Sequence, residues 1–336
     1  MHFEELPKHK YVDFETPIEK MGTLSKLLKG PQIYMKRDDQ LGLAAGGNKT
    51  RKLEYLMADA KKNKADAVIT CGAIQSNHCR LTLAASIKEK MNCILVLEER
   101  IPNSYNPDAS GNNFLFKLMN PKDIIIVPKG TNMPEKMEEV SNKLKEKGQK
   151  PYIIPGGGSN ELGTSGYING AKEIVKQINT ENLNFDYIVV ASGSGGTHAG
   201  LLIGLLLENK DIPVIGINIA RSKEKQEVLI KNLISKTLDF LEIKKSIPDD
   251  KIICNDEYLG EGYSLATKEM IESVQLLAKK EGVLLDPVYT GKAMSGLIDL
   301  IRKDYFKPTD HVLFIHTGGS PALYDKQETV LQDIVN

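Results

Sequence analysis

Asp66-Ala-Val-Ile-Thr-Cys71 is a short, β-branched, apolar run; the pattern then turns helical near 76–90 and returns to a second run, Asn92-Cys-Ile-Leu-Val-Leu97. Two near-continuously apolar strands separated by a helix-length crossover predict parallel pairing, with both faces of the sheet covered. The rhythm continues in Asp123-Ile-Ile-Ile-Val127. A second series follows, with Tyr187-Ile-Val-Val190, a helix from about 197 to 207, Val214-Ile-Gly-Ile-Asn218, a helix near 222–236, and His311-Val-Leu-Phe-Ile-His316. The expected fold class is therefore α/β, with two open, twisted, mostly parallel sheets and helices on both faces. Pro151-Tyr-Ile-Ile-Pro-Gly-Gly-Gly-Ser159 runs from a strand into a glycine cluster and reads as the hinge between them. Residues 237–264 are less periodic, although 238–243 can extend a helix.

At 336 residues the chain is long enough for two domains. Lysine plus arginine (44) balance aspartate plus glutamate (44), so no nucleic-acid footprint and no membrane-surface charge stands out. The expected partner is a small molecule. Cys71, Cys79, Cys93 and Cys254 form no C-x-x-C pair and no regular framework, which favours a reducing setting and predicts no metal site. The opening MHFEELPKHKYVDF lacks the apolar core of a signal peptide, and no run approaches the roughly 20 apolar residues of a spanning helix. The expectation is a soluble, cytoplasmic protein.

Ligands of open parallel sheets bind beyond the carboxyl ends of strands. Gly46-Gly-Asn-Lys-Thr-Arg-Lys52 precedes the helical stretch Leu53-Glu-Tyr-Leu-Met-Ala-Asp-Ala60, and Lys49 falls in its first turn. Steps of three and four from Lys49 reach Leu53, Leu56 and Ala60, which places this lysine on the inward stripe. Burial and the positive end of the helix dipole both disfavour an ammonium there and push it toward the neutral, nucleophilic amine. Lys52 shares part of the same stripe and is not excluded by spacing. A solvated lysine at a helix start would show the same pattern.

Ala191-Ser-Gly-Ser-Gly-Gly-Thr-His-Ala-Gly200 follows an apolar strand and opens a helix, so Ser192, Gly193, Ser194, Gly195, Gly196 and Thr197 form a candidate anion cradle. A dinucleotide fingerprint needs glycine where His198 stands, and no Gly-Lys-Ser/Thr follows for a P-loop. A phosphate monoester such as that of pyridoxal 5'-phosphate fits best, while a ligand-free tight turn is the bland alternative. Ala73-Ile-Gln-Ser-Asn-His78 opens another helix; Ser76 serves there as an N-cap, or Ser76, Asn77 and His78 surround a substrate carboxylate and a cofactor ring. Late in the chain Tyr289 and Thr290 enter a helix, Tyr289 as packing or as an acid/base, and Thr317-Gly-Gly-Ser320 ends the final strand.

Lys36-Arg-Asp-Asp39, Gly46-Gly-Asn-Lys-Thr-Arg-Lys-Leu-Glu54, Gln75-Ser-Asn77, Ser192-Gly-Ser-Gly-Gly-Thr197, Asp286-Pro-Val-Tyr289 and His316-Thr-Gly-Gly319 occur in one order over about 7–325. As a set they resemble the D-cysteine desulfhydrase and aminocyclopropane-carboxylate deaminase family, within the tryptophan-synthase-β-like pyridoxal-phosphate enzymes of fold type II. The resemblance implies that Lys49, not Lys52, forms the Schiff base with the cofactor. It implies that residues 192–197 hold the phosphate, that Asn77 lies near the ring hydroxyl, and that Ser76, Tyr263 and Tyr289 approach the substrate. It also implies a large discontinuous domain of 1–51 and 161–336, a small inserted domain of 52–160, and a homodimer. Where the deaminases carry glutamate and leucine, this chain has Thr290 and Thr317, as in the desulfhydrases. Hydroxyls near the ring nitrogen make a weaker electron sink than a carboxylate would. This favours β-elimination of D-cysteine to pyruvate, ammonia and hydrogen sulfide. The rival readings are aminocyclopropane-carboxylate deamination, lysis of another β-substituted alanine (cysteate, chloroalanine, diaminopropionate or serine), and a phosphometabolite-binding protein without catalysis.

Overall fold

The computed structural model of the chain describes residues 3–332, so the outermost residues of the expected large domain, 1–2 and 333–336, lie outside it. Its strands are β1 (Ile18–Lys20), β2 (Gln32–Lys36), β3 (Ala67–Ala73), β4 (Asn92–Glu99), β5 (Asp123–Pro128), β6 (Pro151–Ile154), β7 (Tyr187–Ser192), β8 (Val214–Asn218), β9 (Ile253–Asn255) and β10 (His311–Ile315). The first six helices are α1 (Gly22–Leu28), α2 (Lys49–Lys62), α3 (Asn77–Lys88), α4 (Asn112–Met119), α5 (Met133–Lys145) and α6 (Glu161–Thr180). The rest are α7 (Gly196–Leu207), α8 (Lys223–Phe240), α9 (Lys268–Glu281), α10 (Thr290–Arg302), α11 (Ser320–Asp325) and α12 (Gln327–Val330).

Two sheets result, one in the order β1-β2-β10-β7-β8-β9 and the other β5-β4-β3-β6. Among the described residues β1 with β2 is the antiparallel pair, and the remaining pairings are parallel. Period-two alternation divides each central strand between two cores. In the larger sheet Ile188, Val190, Leu313 and Ile315 face α6, α7 and α8. Val189, Val312 and Phe314 face α1, α9 and α10. In the smaller sheet Val68 packs with α2 and α3, and Ile69 with Met137 and Val140 of α5. The expected α/β architecture, with helices on both faces of mostly parallel sheets, is the one found.

The β-branched runs named above fall on β3, β4, β5, β7, β8 and β10, and α8 reaches Phe240, taking in the start of the less periodic segment. The longest helix, α6, opens on Glu161-Leu-Gly-Thr-Ser-Gly-Tyr-Ile-Asn-Gly170, whose glycines and small polar residues read as turn material. The structure shows what those small residues are for. A Cβ on Gly166 would sit 2.4 Å from the Arg51 carbonyl oxygen of α2, and one on Gly200 of α7 would sit 2.7 Å from the Thr164 carbonyl oxygen of α6. Backbone meets backbone at both crossings, which brings the starts of α2 and α7 toward one another.

Gly166→Ala is expected to lose about 1–2 kcal/mol of stability, because overpacking outweighs the gain in helix propensity. Gly22→Ala, which meets nothing within 4 Å at the start of α1, is the control and should stay within about 0.5 kcal/mol of wild type in urea unfolding.

Candidate active site

Strand ends and helix starts from both sheets enclose a cavity of about 740 Å³. Its floor is the turn before α2. Gly46 and Gly47 have φ of 71° and 132°, and a Cβ on Gly46 would strike the Asp39 carbonyl oxygen at 1.8 Å. The glycine pair therefore permits the turn that delivers Lys49 to the cavity wall. Lys49 Nζ donates to Asn48 Oδ1 at 2.8 Å, and Asn48 Nδ2 donates to Thr197 Oγ1 at 2.9 Å. Enclosure lowers the Lys49 ammonium to about 8; Asp286 pulls it back up and Arg80 adds to the drop.

The structure separates the two lysines that spacing leaves open. Lys52 is 1% exposed, and its Nζ donates to the Gly157 carbonyl at 3.1 Å and to Ser159 Oγ at 2.9 Å. Burial, with Lys49 nearby, pushes its ammonium well below the ordinary lysine value. Both of its partners come from the glycine cluster at the expected hinge.

That cluster also meets the cradle. Residues 192–197 turn from the end of β7 into α7, with Gly195 at φ 90°. Ser159 Oγ lies 2.8 Å from Ser194 Oγ and accepts the Gly196 N–H at 3.2 Å. The first turn of α7 leaves N–H groups without intrahelical acceptors. Here a buried lysine amine with only a carbonyl and a hydroxyl as partners, three hydroxyls (Ser159, Ser194, Thr197) and a helix N-terminus converge, a donor set that suits a phosphate dianion, whose arrival would favour the ammonium form. Ser192 points elsewhere: its Oγ meets buried His198 Nδ1 at 3.2 Å and accepts from Gln226 Nε2 at 2.9 Å. Burial lowers His198 to about 4, so it stays neutral.

Ser76 takes the N-cap role and also stands at the cavity. Its Oγ accepts the Cys79 N–H at 3.1 Å as the N-cap of α3, and the residue lines the cavity. Asn77 lines it too. His78 Nε2 lies 2.8 Å from Thr70 Oγ1, which donates to the Ile154 carbonyl at 2.9 Å, so the imidazole donates and is neutral, with burial depressing its basicity. Opposite, Tyr263 and Tyr289 share a hydrogen bond of 2.6 Å, and the Arg100 guanidinium lies 3.8 Å over the Tyr263 ring. Burial raises both phenols, although Arg100 works against the rise. Thr317 is on the wall, its carbonyl accepting the Asn48 N–H at 3.0 Å.

Thr290 is engaged locally. Its hydroxyl donates to Asp286 Oδ1 at 2.8 Å and accepts the Asp286 N–H at 2.8 Å, which closes the turn into α10. Four residues of separation suffice for this local bond. Lys52 and Ser159 at the cradle, and Arg100 and Arg221 at the cavity mouth, have positions that the motifs do not reveal. For the two arginines the usable signal is their place just beyond the carboxyl ends of β4 and β8.

The family model for pyridoxal-phosphate dependent enzymes matches residues 10–318. Among solved structures, an ACC deaminase homologue is 38% identical with a TM-score of 0.88, over 98% of this chain and 97% of its own. A fungal L-serine ammonia-lyase from Rhizomucor miehei matches at 16% identity and a TM-score of 0.68, over 96% of this chain and 99% of its own. A T.th. threonine deaminase matches at 14% identity and a TM-score of 0.62, over 91% of this chain and 92% of its own; these last two show the fold alone. The cofactor is pyridoxal 5'-phosphate, and the donor set around Lys52 and the cradle suits its phosphate. The chain is a fold-type-II member of the pyridoxal-phosphate-dependent enzyme family, in its aminocyclopropane-carboxylate deaminase and D-cysteine desulfhydrase branch.

Proposed function

We propose that this chain is a carbon–sulfur lyase that converts D-cysteine and water to pyruvate, ammonia and hydrogen sulfide. What supports this reading over the ring-opening deaminase is the pair Thr290 and Thr317, hydroxyls where the deaminases are expected to carry glutamate and leucine: one is closed onto Asp286, the other is on the wall, and neither side chain is itself a carboxylate. A ring left neutral suffices when a good leaving group departs from the β-carbon. The second reading, deamination of aminocyclopropane-carboxylate, draws on the 38% identical ACC deaminase homologue.

Lys52, Ser159, Ser194, Thr197 and the N–H groups at the start of α7 would hold the phosphate. Asn77 would lie beside the ring hydroxyl. When bound, pyridoxal phosphate supplies an aldehyde that condenses with amines and a ring that spreads the charge left by a departing α-proton. Lys49 Nζ is the base that takes that proton, since an amine lowered to about 8 is neutral in a useful fraction near neutral pH. Ser76 Oγ already accepts the Cys79 N–H, so its O–H is left to donate, and the start of α3 receives the substrate carboxylate. Tyr289, held by Tyr263 and kept protonated by burial, gives its proton to the departing thiolate. Arg100 and Arg221 make the mouth favourable to an anionic amino acid.

Sulfide release should be readily measurable with D-cysteine, and 2-oxobutyrate formation from aminocyclopropane-carboxylate should be slower; the reverse ranking assigns the deaminase. Lys49→Ala should lower sulfide release by at least about a hundredfold. Lys52→Met should weaken cofactor binding by roughly 2–4 kcal/mol, read by titrating the cofactor-free protein with pyridoxal phosphate. Because only the neutral amine attacks an aldehyde, cofactor uptake by the cofactor-free protein should accelerate as pH rises and level off above about 8, followed by visible absorbance.

A further inference from the structure

Arg80 on α3 has no solvent exposure, and its hydrogen bonds all end on neutral oxygens. Nη1 donates to Asn77 Oδ1 at 2.8 Å and to Asn112 Oδ1 at 2.6 Å, and Nη2 donates to the Gly46 carbonyl at 2.8 Å. Its Nε has no partner. Burial brings the guanidinium down to about 10 against the pull of Asp286, which still leaves it charged at neutral pH. A buried guanidinium bound only to neutral groups is costly unless an anion joins it.

The network also fixes which way each amide faces. Asn112 Nδ2 donates to the Gln75 backbone carbonyl at 2.8 Å, a partner that can only accept, so Asn112 Oδ1 must be the end that receives Arg80. The same Nδ2 donates to Asn77 Oδ1 at 2.9 Å. Asn77 Oδ1 thus receives two donors, and the flipped amide would set its NH₂ against both. Asn77 Nδ2 is the free end, without an acceptor among the described residues. It faces Gly319, where a Cβ would come within 2.8 Å of it; φ of 110° and the missing side chain leave this donor uncovered.

We propose that Arg80 is a positioning residue for the cofactor ring: with Asn112 it clamps Asn77 so that a hydrogen-bond donor, and no acceptor, faces the ring oxygen. The buried charge of Arg80 then favours that oxygen as an anion. The other charged or titratable groups around this point include Lys49 and Lys52 on α2, Asp286 before α10, neutral His78 on α3 and, coupled to Asp286, Tyr263, Tyr289 and His316. By the bond from Nη2 to Gly46, the same guanidinium ties the ring contact to the turn that carries Lys49. The proposal rests on Asn77 lying beside the ring, as above, and not on the identity of the substrate.

The test is a pH titration of the visible absorption band of the Lys49-linked cofactor in purified, cofactor-loaded wild type, Arg80→Gln, Arg80→Lys and Asn112→Leu. An oriented donor and a nearby positive charge let the chromophore lose its proton at lower pH. The midpoint should therefore rise by about one unit or more in Arg80→Gln. It should rise less in Asn112→Leu, and Arg80→Lys, which restores the charge without the fork, should recover part of the shift. An unchanged midpoint in Arg80→Gln, even with a lowered melting temperature, is what a structural role gives and overturns the proposal. If that variant does not fold, an unchanged midpoint in Asn112→Leu overturns it equally. A wild-type protein without the band overturns the cofactor placement and this proposal together. Absent sulfide release with the band present and the midpoints shifted overturns the D-cysteine reading alone and supports this one.

Discussion

The fork between Arg51 and two carboxylates, buried Asp38 and half-buried Glu173, sets the position of everything else in the site. Arg51 is 6% exposed; its Nε and Nη2 donate to Asp38 at 2.9 and 2.8 Å, and its Nη1 and Nη2 donate to Glu173 at 2.7 and 2.9 Å. Tyr167 OH adds a bond of 2.6 Å to Asp38, and Lys36 Nζ one of 2.6 Å to Glu173. Burial alone would raise Asp38, but Arg51 overrides it and holds the carboxyl at about 2. The cluster joins the turn after β2, the first turn of α2 and the middle of α6 in one charge-balanced knot. Such knots add little net stability compared with an apolar core, but losing one member is costly, so they specify geometry. What this one specifies is the rotation of α2 about its axis.

That rotation gives three basic residues within one turn three different surroundings. Lys49 faces the cavity, Arg51 the carboxylate knot, and Lys52 the cradle. The first and third have no carboxylate at hydrogen-bond distance, nor does Arg80. Asp286, whose field reaches Lys49 and Arg80, spends its oxygens on the N–H groups of Val288, Tyr289 and Thr290. The pocket of the cofactor-free chain thus holds buried basic groups with no carboxylate bonded to them, a setting that favours an anionic ligand. Electrostatics prepares the site before the ligand arrives.

How much of this is legible beforehand depends on whether the deciding partner is near in sequence. β3, β4 and β7 are legible because burial on both faces writes an unbroken apolar run, and the cradle because glycines between a strand and a helix have few other uses. The start of α6 is harder to read: Gly163 answers to the Gly158 carbonyl of the glycine cluster and Gly166 to the backbone of α2, which a single-helix periodicity cannot register. Spacing leaves Lys49 and Lys52 tied, since the difference between them is made by Gly157 and Ser159, more than a hundred positions on. Thr290 reads as a residue entering a helix, and its bond to the Asp286 carboxylate four positions earlier becomes visible only in the folded turn. Arg80 looks like an ordinary helix arginine until Asn112 is folded against it.

The meeting of Ser159 with Ser194 carries a mechanical meaning. Ser159 follows the last strand of the smaller sheet, Ser194 follows a central strand of the larger, and Lys52 reaches the same point from α2. In the cofactor-free chain Ser159 Oγ meets the cradle through Ser194 Oγ and the Gly196 N–H, while Lys52 bonds Gly157 and Ser159 beside it. A phosphate seated there would be gripped from both sheets at once, a rivet across the seam, so that loading the cofactor would also stiffen the joint between the sheets.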